Sequence, residues 1–220
     1  IYNDGILHIR KKSTKPVVGF RGSARPMYPD LIDISRGTLN VLNRFMGSSE
    51  ESLTKRYKWN DGQILRRKAM DILKSNHKII TDFSVLIRGY LNQNDENKKM
   101  MNRVKFVQNI FNSDYILCMR GLGNYSYRFY ETISSGRIPL FVNTDCELPL
   151  DDIIDWKKYC VWVEDKDIRK IDEILLDFHH SLSNDDFEEL QYKIRELWLN
   201  EIRNEAFYGN FHMLLQRICR

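Results

Sequence analysis

Between residues 118 and 131 the chain reads Cys-Met-Arg-Gly-Leu-Gly-Asn-Tyr-Ser-Tyr-Arg-Phe-Tyr-Glu, a run rich in residue types that hold a phosphorylated ligand. Arg120 follows an apolar stretch. Gly121 and Gly123 then strip side chains from a short loop, which lets the backbone approach a ligand closely. Ser126 stands where a helix would begin, and the N–H groups of a helix start favour a phosphate. Arg120 is suited to bidentate pairing with a diphosphate. Glu131, about one turn into the helix, offers a carboxylate to ribose hydroxyls. Each has a plainer alternative. The glycines make a tight strand-to-helix turn, Ser126 is an N-cap, and Glu131 is a solvated carboxylate.

Other groupings carry less. Asp165-Lys166-Asp167 has the spacing of a metal-binding D-x-D, but it follows a strand and opens a helix, so capping is its expected role. His179-His180 reads as a helix-end pair, since no Cys or carboxylate stands at matching ligand spacing; no metal site is expected. The aromatics at 198, 207, 208 and 211 fall at near-helical spacing and read as packing. Tyr57 and Trp59, in an irregular stretch, are better placed to stack on a sugar.

The elements that must position these residues alternate strand and helix. Pro16–Phe20 is a short buried strand. A helical pattern runs through Ile64, Leu65, Ala69, Ile72 and Leu73, followed by a strand over 78–83 and a helix over 100–111. Then come strand 115–119, the glycine loop, helix 127–135 and strand 138–142. A short helix near 152–156 and strand 160–163 complete the series. Residues 167–219 are helical, 27–60 an irregular insert, and 1–16 an N-terminal extension, either an edge strand or a linker remnant. Such alternation predicts βαβ units: an α/β fold with a Rossmann-like parallel sheet covered by helices on both faces. Ligands in such sheets bind beyond the carboxyl ends of the strands, the edge that carries the loops after Phe20, Met119 and Val142.

Composition sets outer bounds. Hydrophobic residues at 42% and charged residues at 29% are ordinary for a globular protein. No apolar run approaches the roughly 20 residues of a membrane span. The net charge of +4 suits a diphosphate pocket but lacks the basic-aromatic stripe of a nucleic-acid groove. Cys118 and Cys160 lie inside apolar runs and read as buried free thiols, which points to a reducing compartment. The sequon Asn124-Tyr125-Ser126 sits in the candidate ligand loop, where a glycan would block it. Both features predict a cytoplasmic location, or a Golgi lumen if a membrane anchor lies outside this sequence.

The run resembles the signature of exostosin-type glycosyltransferases. It has the Arg120-Gly121 strand end, Gly123, and Ser126-Tyr127-Arg128-Phe129-Tyr130-Glu131. Ile138–Val142, Glu147-Leu148-Pro149 and Ile154-Asp155-Trp156 follow in the same order. Arg21 and the Arg66/Arg67 helix start also resemble upstream arginines of the family, so the likeness covers roughly residues 17–180. It implies the donor-binding domain of a GT-B architecture. It further implies transfer of a sugar from a UDP-sugar to a glycan acceptor, with inversion, no obligatory metal and no cofactor beyond the donor. By position, Arg120, Gly121, Gly123 and Ser126 would hold the diphosphate, Arg128 would support the loop, Glu131 would bind ribose, and Arg21 would face the leaving UDP.

An inverting transfer needs a base to deprotonate the acceptor. Asp30, Asp33, Asp82 and Glu147 are the candidates on loops. Only 16 residues precede the first strand, so a full acceptor domain is not expected within this chain. Either a missing acceptor domain lies elsewhere, or 27–60 and the C-terminal helices supply a reduced one, or the chain is a non-catalytic partner of an active transferase.

Overall fold

Five short apolar runs form one parallel sheet in the computed structural model, which describes residues 8–24, 61–85, 95–121 and 123–209. The strands are β1 (Val17–Gly22), β2 (Ile80–Val85), β3 (Tyr115–Cys118), β4 (Ile138–Asn143) and β5 (Val161–Glu164), in the order β2-β1-β3-β4-β5. Every neighbouring pair is parallel. Strand β3 is buried along its whole length and β4 nearly so, the continuous apolar reading of strands covered on both faces. Pro139 is tolerated in β4 because pairing with β5 begins only at Leu140.

Helix α1 (Asp61–Ser75) and α4 (Ile171–Ser181) pack together on one face, while α2 (Glu96–Phe111), α3 (Tyr127–Ser134) and α5 (Asn184–Leu197) cover the other. A π turn (Trp198–Ile202) and a short α6 (Asn204–Gly209) follow. This is the expected α/β, Rossmann-like fold. Among the described residues no helix is long and apolar enough to cross a membrane. From β1 the chain steps outward to β2, then crosses back to β3. The chain therefore leaves the adjacent strands β1 and β3 in opposite directions, and the crevice over their carboxyl ends is where such sheets hold ligands.

Local chemistry sets the element ends. Asp95 accepts from the N–H groups of Asn97 (3.0 Å) and Lys98 (3.3 Å), which starts α2 four residues earlier than its apolar pattern suggests. Helix α3 ends on Gly136 at φ 62°, with Gly136 N–H donating to Ile133 and Arg137 N–H to Thr132. β2 begins at 80 rather than 78. Asn76 accounts for the difference, its side-chain oxygen accepting from Lys78 N–H (3.0 Å) and its carbonyl from Ile79 N–H (3.0 Å), so those residues form a turn. The helix expected near 152–156 is a 3-10 turn at Trp156–Lys158. The helical region expected from 167 opens with 3-10 turns at Asp165–Lys170, with α4 following. There Asp165 and Asp167 occupy the first turn, where the helix dipole favours them, while the N-cap position falls to Glu164, whose side chain makes no cap bond.

The described part of the N-terminal extension, 8–16, is neither an edge strand nor a loose linker. It is a strap tied to both layers. Arg10 pairs with the fully buried Asp114 (Nε–Oδ1 2.6 Å), which also accepts from Ser13 Oγ (3.1 Å) and Val17 N–H (2.8 Å). Gln191 in α5 accepts from Arg10 N–H (2.9 Å) and from Arg137 Nη1 (3.0 Å), and donates to Arg10 O (2.7 Å). The insert 27–60 lies outside the described residues, as do Tyr57 and Trp59. Trp198 packs on the core as expected.

His179 joins the strap from α4. Its Nε2 donates to Ser13 O (2.9 Å), which leaves Nδ1 to accept from Tyr115 Oη (3.0 Å). Burial, with Lys12 adding repulsion, holds its pKa below the ordinary 6.5. The unfolded chain therefore takes up this proton more readily than the folded one. Stability should fall as pH drops through 6.5 toward the lower folded pKa. Chemical denaturation between neutral and mildly acidic pH should reveal that slope, and His179→Gln should flatten it.

Candidate active site

Arginines gather at the carboxyl ends of β1 and β3, each delivered by a different element. Arg21, the penultimate residue of β1, donates through Nη1 to Ser84 Oγ at the end of β2 (2.6 Å). Its Nη2 donates to Asn102 Oδ1 of α2 (2.9 Å). Arg128, in the first turn of α3, donates to the Arg21 carbonyl and sits over the Phe20 ring, 4.2 Å from its centroid. Arg66 comes from α1 and spans the crevice. Its Nη1 donates to Ser23 O (2.9 Å) beyond β1, and its Nη2 to Arg120 O (2.7 Å) beyond β3. Burial and the nearby Arg128 lower the Arg66 pKa to about 10, and burial lowers that of Arg128. Among the described residues no carboxylate lies in ion-pair range of Arg21, Arg66 or Arg128, and the buried Nε of each has no hydrogen-bond partner.

One carboxylate stands beside this cluster. Glu131, one turn into α3, has its pKa raised by burial, with Arg128 and Arg103 pulling the other way. Its carboxylate has no hydrogen-bond or ion-pair partner among the described residues. Arg21, Arg128 and Glu131, with Arg103 and Ser23, surround a cavity of about 210 Å³. Arg120 follows β3 with only 6% of its surface exposed, next to Gly121, whose N–H closes the loop onto Tyr125 O (3.0 Å). Ser126 sits at the N-cap position of α3 but makes no side-chain cap bond, contrary to its plainer reading. Arg120, Gly121, Gly123 and Ser126 do not line that cavity.

Two side chains hold the glycine loop in place. Asn124 Nδ2 donates to Thr144 O and Asp145 O (both 2.9 Å), and its Oδ1 accepts from Thr144 Oγ1 (2.6 Å), which ties the loop to the end of β4. Gly62 brings α1 up against the same loop, where an added Cβ would lie 2.8 Å from Gly121 O and 3.2 Å from Arg120 O. Gly62→Ala should therefore displace the Arg120–Gly121 backbone. We expect a loss of about 1–3 kcal/mol in chemical denaturation, larger than for Gly209→Ala, whose Cβ would meet nothing within 4 Å.

Among the base candidates, Asp82 lies inside β2 beside Gly19, and its Oδ2 accepts from Asn109 Nδ2 (2.8 Å). It anchors α2 to the sheet below the crevice and does not stand on a loop. Glu147 is exposed on the loop after β4. Asp30 and Asp33 lie outside the described residues. Burial pushes the Cys118 thiol up to about 12, which unsuits it as a nucleophile at neutral pH.

The sequence profile of the Exostosin GT47 domain matches residues 56–178, from before α1 into α4. The chain belongs to the exostosin GT47 family. Over 124 residues it is 24% identical to Exostosin-1 of Drosophila melanogaster, which covers 56% of this chain and 15% of the fly protein. A Physcomitrium patens protein named "Probable glucuronosyltransferase 47 A" is 38% identical over 66 residues, 30% of this chain and 15% of its own length. An Arabidopsis thaliana protein named as a probable glycosyltransferase is 30% identical over 125 residues, 54% of this chain and 25% of its own. The chain thus spans about a quarter or less of these exostosin relatives. The profile takes in Arg66, Arg120, Arg128 and Glu131 but begins after β1, so the placing of Arg21 beside them rests on the fold alone.

Proposed function

We propose that this exostosin-family chain forms the donor half of a glycosyltransferase that moves a sugar from a UDP-sugar to a glycan acceptor, with inversion and without an obligatory metal. The observation that carries this is the cluster of Arg21, Arg66 and Arg128, which lacks any carboxylate partner among the described residues and sits at the point where the strand order reverses. Buried guanidinia with unmet donors are costly without an anion. A diphosphate supplies one, and the same charges then stabilise negative charge on the departing UDP.

In this reading the diphosphate lies between the arginine cluster and the start of α3, where Ser126 leaves the first N–H groups open. Gly121 offers a bare approach, because even an added Cβ would stay 3.5 Å from its nearest neighbour, Arg66 Nη2. Glu131 accepts from the ribose hydroxyls. Of the base candidates, Glu147 keeps an exposed carboxylate near the strand ends. A cytoplasmic location fits as well, since a glycan on Asn124 would take one of the two N–H donors that bond the Thr144 and Asp145 carbonyls.

The test is thermal denaturation with UDP, GDP and CMP, followed by hydrolysis assays on a panel of UDP-sugars. UDP should raise the melting temperature most, and Glu131→Ala should remove the preference for a ribonucleotide over inorganic diphosphate. No shift with any nucleotide would sink the donor reading, while a UDP shift without turnover on any UDP-sugar would favour the non-catalytic partner. The pH dependence has a defined sign. Because the Glu131 pKa is raised and a ribose donor prefers the carboxylate, UDP-sugar affinity should weaken as pH falls through that raised value. Glu131→Gln should remove the dependence.

A further inference from the structure

Arg21, Arg66 and Arg128 are each held by oxygen atoms that carry no charge. Arg21 donates to the Ser84 hydroxyl (2.6 Å) and to the side-chain carbonyl of Asn102 (2.9 Å). Arg66 donates to the backbone carbonyls of Ser23 (2.9 Å) and Arg120 (2.7 Å), and Arg128 to that of Arg21. A carboxylate holds such a fork more tightly, as Asp114 holds Arg10 at 2.6 Å. It also neutralises it. Among the described residues Arg21 alone of the three takes side chains as its acceptors, so residue choice rather than backbone decides whether its charge stays available.

That choice is made on α2. Asn102 and Asn109 stand seven residues apart and so share the face of the helix that meets the sheet. Asn109 Nδ2 donates to the carbonyl and to Oδ2 of Asp82 (both 2.8 Å). Asp82 lies two residues before Ser84, the register partner of Arg21, and on the same side of β2. An acid therefore sits about 7 Å down the strand from the anchor of Arg21, a diagonal separation that long side chains bridge. The two asparagines keep acid and base apart. Asn109 takes the acid with its amide donors, and Asn102 takes the guanidinium with its amide oxygen.

We propose that Asn102 is a positioning residue of the anion site, one whose neutral amide oxygen fixes the Arg21 fork at the cavity while leaving its positive charge for a diphosphate. Calling that anion the donor diphosphate rests on the donor reading above; the effect on anion binding does not. The cavity supports the assignment. Arg21, Arg103 and Arg128 line its 210 Å³, with Glu131 the sole carboxylate among the described lining residues. The buried Arg21 Nε has no hydrogen-bond partner. Phe106, one turn after Asn102 on α2, lines the same space. The helix thus walls the cavity and orients a cation in it.

The experiment uses the near-identical shape of asparagine and aspartate. UDP and inorganic diphosphate are titrated by calorimetry into the wild-type chain, Asn102→Ala and Asn102→Asp, with the melting temperature of each free protein measured alongside. Asn109 still docks α2 on Asp82 in both variants. Asn102→Ala releases the fork but keeps its charge, and should weaken both ligands by about threefold to tenfold. Asn102→Asp holds the fork and cancels its charge. It should weaken both ligands further, by about thirtyfold or more, while the free protein melts no lower than the alanine variant. A residue that merely braces α2 gives the opposite order, because the isosteric aspartate then disturbs binding less than alanine. The proposal is overturned if Asn102→Asp binds diphosphate as tightly as Asn102→Ala or tighter, or if alanine leaves the affinity unchanged. A reversed order with UDP still preferred over diphosphate would sink the Asn102 assignment alone. The expected order without any preference for UDP would sink the donor reading alone, and a wild-type chain that binds neither ligand would overturn both.

Discussion

Arg66→Met is expected to abolish the stabilisation that UDP gives the protein while lowering the stability of the free chain by only about 1–3 kcal/mol. Two contributions oppose each other in the free protein. The substitution loses the bonds to Ser23 O and Arg120 O that hold the two strand-end loops at a fixed separation. It also removes a buried cation that burial and Arg128 already disfavour, as the lowered pKa records. Methionine refills most of the volume, so packing changes little. With ligand the balance shifts, because both the positive charge and the loop geometry belong to the anion site. Arg66→Lys should restore part of the effect, keeping the charge but losing the fork that reaches both carbonyls. Calorimetric titration of UDP into each variant measures this directly. An undiminished UDP affinity in Arg66→Met would mean that the diphosphate sits elsewhere.

The largest loss of fold stability should come from Asp114→Ala. Its carboxylate is fully buried and accepts from Arg10, Ser13 and the Val17 N–H. Removing it leaves the Arg10 cation and the first N–H of β1 without their acceptor, a cost of about 3–5 kcal/mol. For a chain of this size that lowers the melting temperature by about 6–20 °C. Arg10→Ala should cost less, because the Arg10 side chain is 26% exposed and water replaces it more readily. A loss in Asp114→Ala no greater than in Arg10→Ala would show that the strap is dispensable to the fold.

The sheet was readable because its strands are short apolar runs bracketed by breakers, and the glycine loop because glycine, serine and arginine fall between a strand and a helix. What the sequence hid depends on contacts between distant residues. Arg66 sits among charged neighbours in α1, and nothing local separates a guanidinium that spans the crevice from one that faces water. Asp82 looked like a free loop carboxylate, yet its partner Asn109 lies 27 residues away. The polar segment 8–16 resembled a linker for the same reason, since the groups that satisfy it come from Asp114 just before β3, from α4 and from α5. Helix starts were legible only to within a few residues, because caps such as Asp95 act beyond the apolar pattern.

The strap has a consequence for how the chain acquires its structure. Arg10 is bonded to Gln191, 181 positions later, and His179 reaches back to Ser13 across 166. During synthesis β1, β2 and β3 emerge long before α5, so the sheet can begin to assemble while its lower edge is still open. Contacts of such long range close late, after the loop entropy between them has been overcome. The first described residues of this chain are thus among the last to be fully secured, and a nascent chain halted before Gln191 leaves the ribosome would lack both Arg10 bonds to α5.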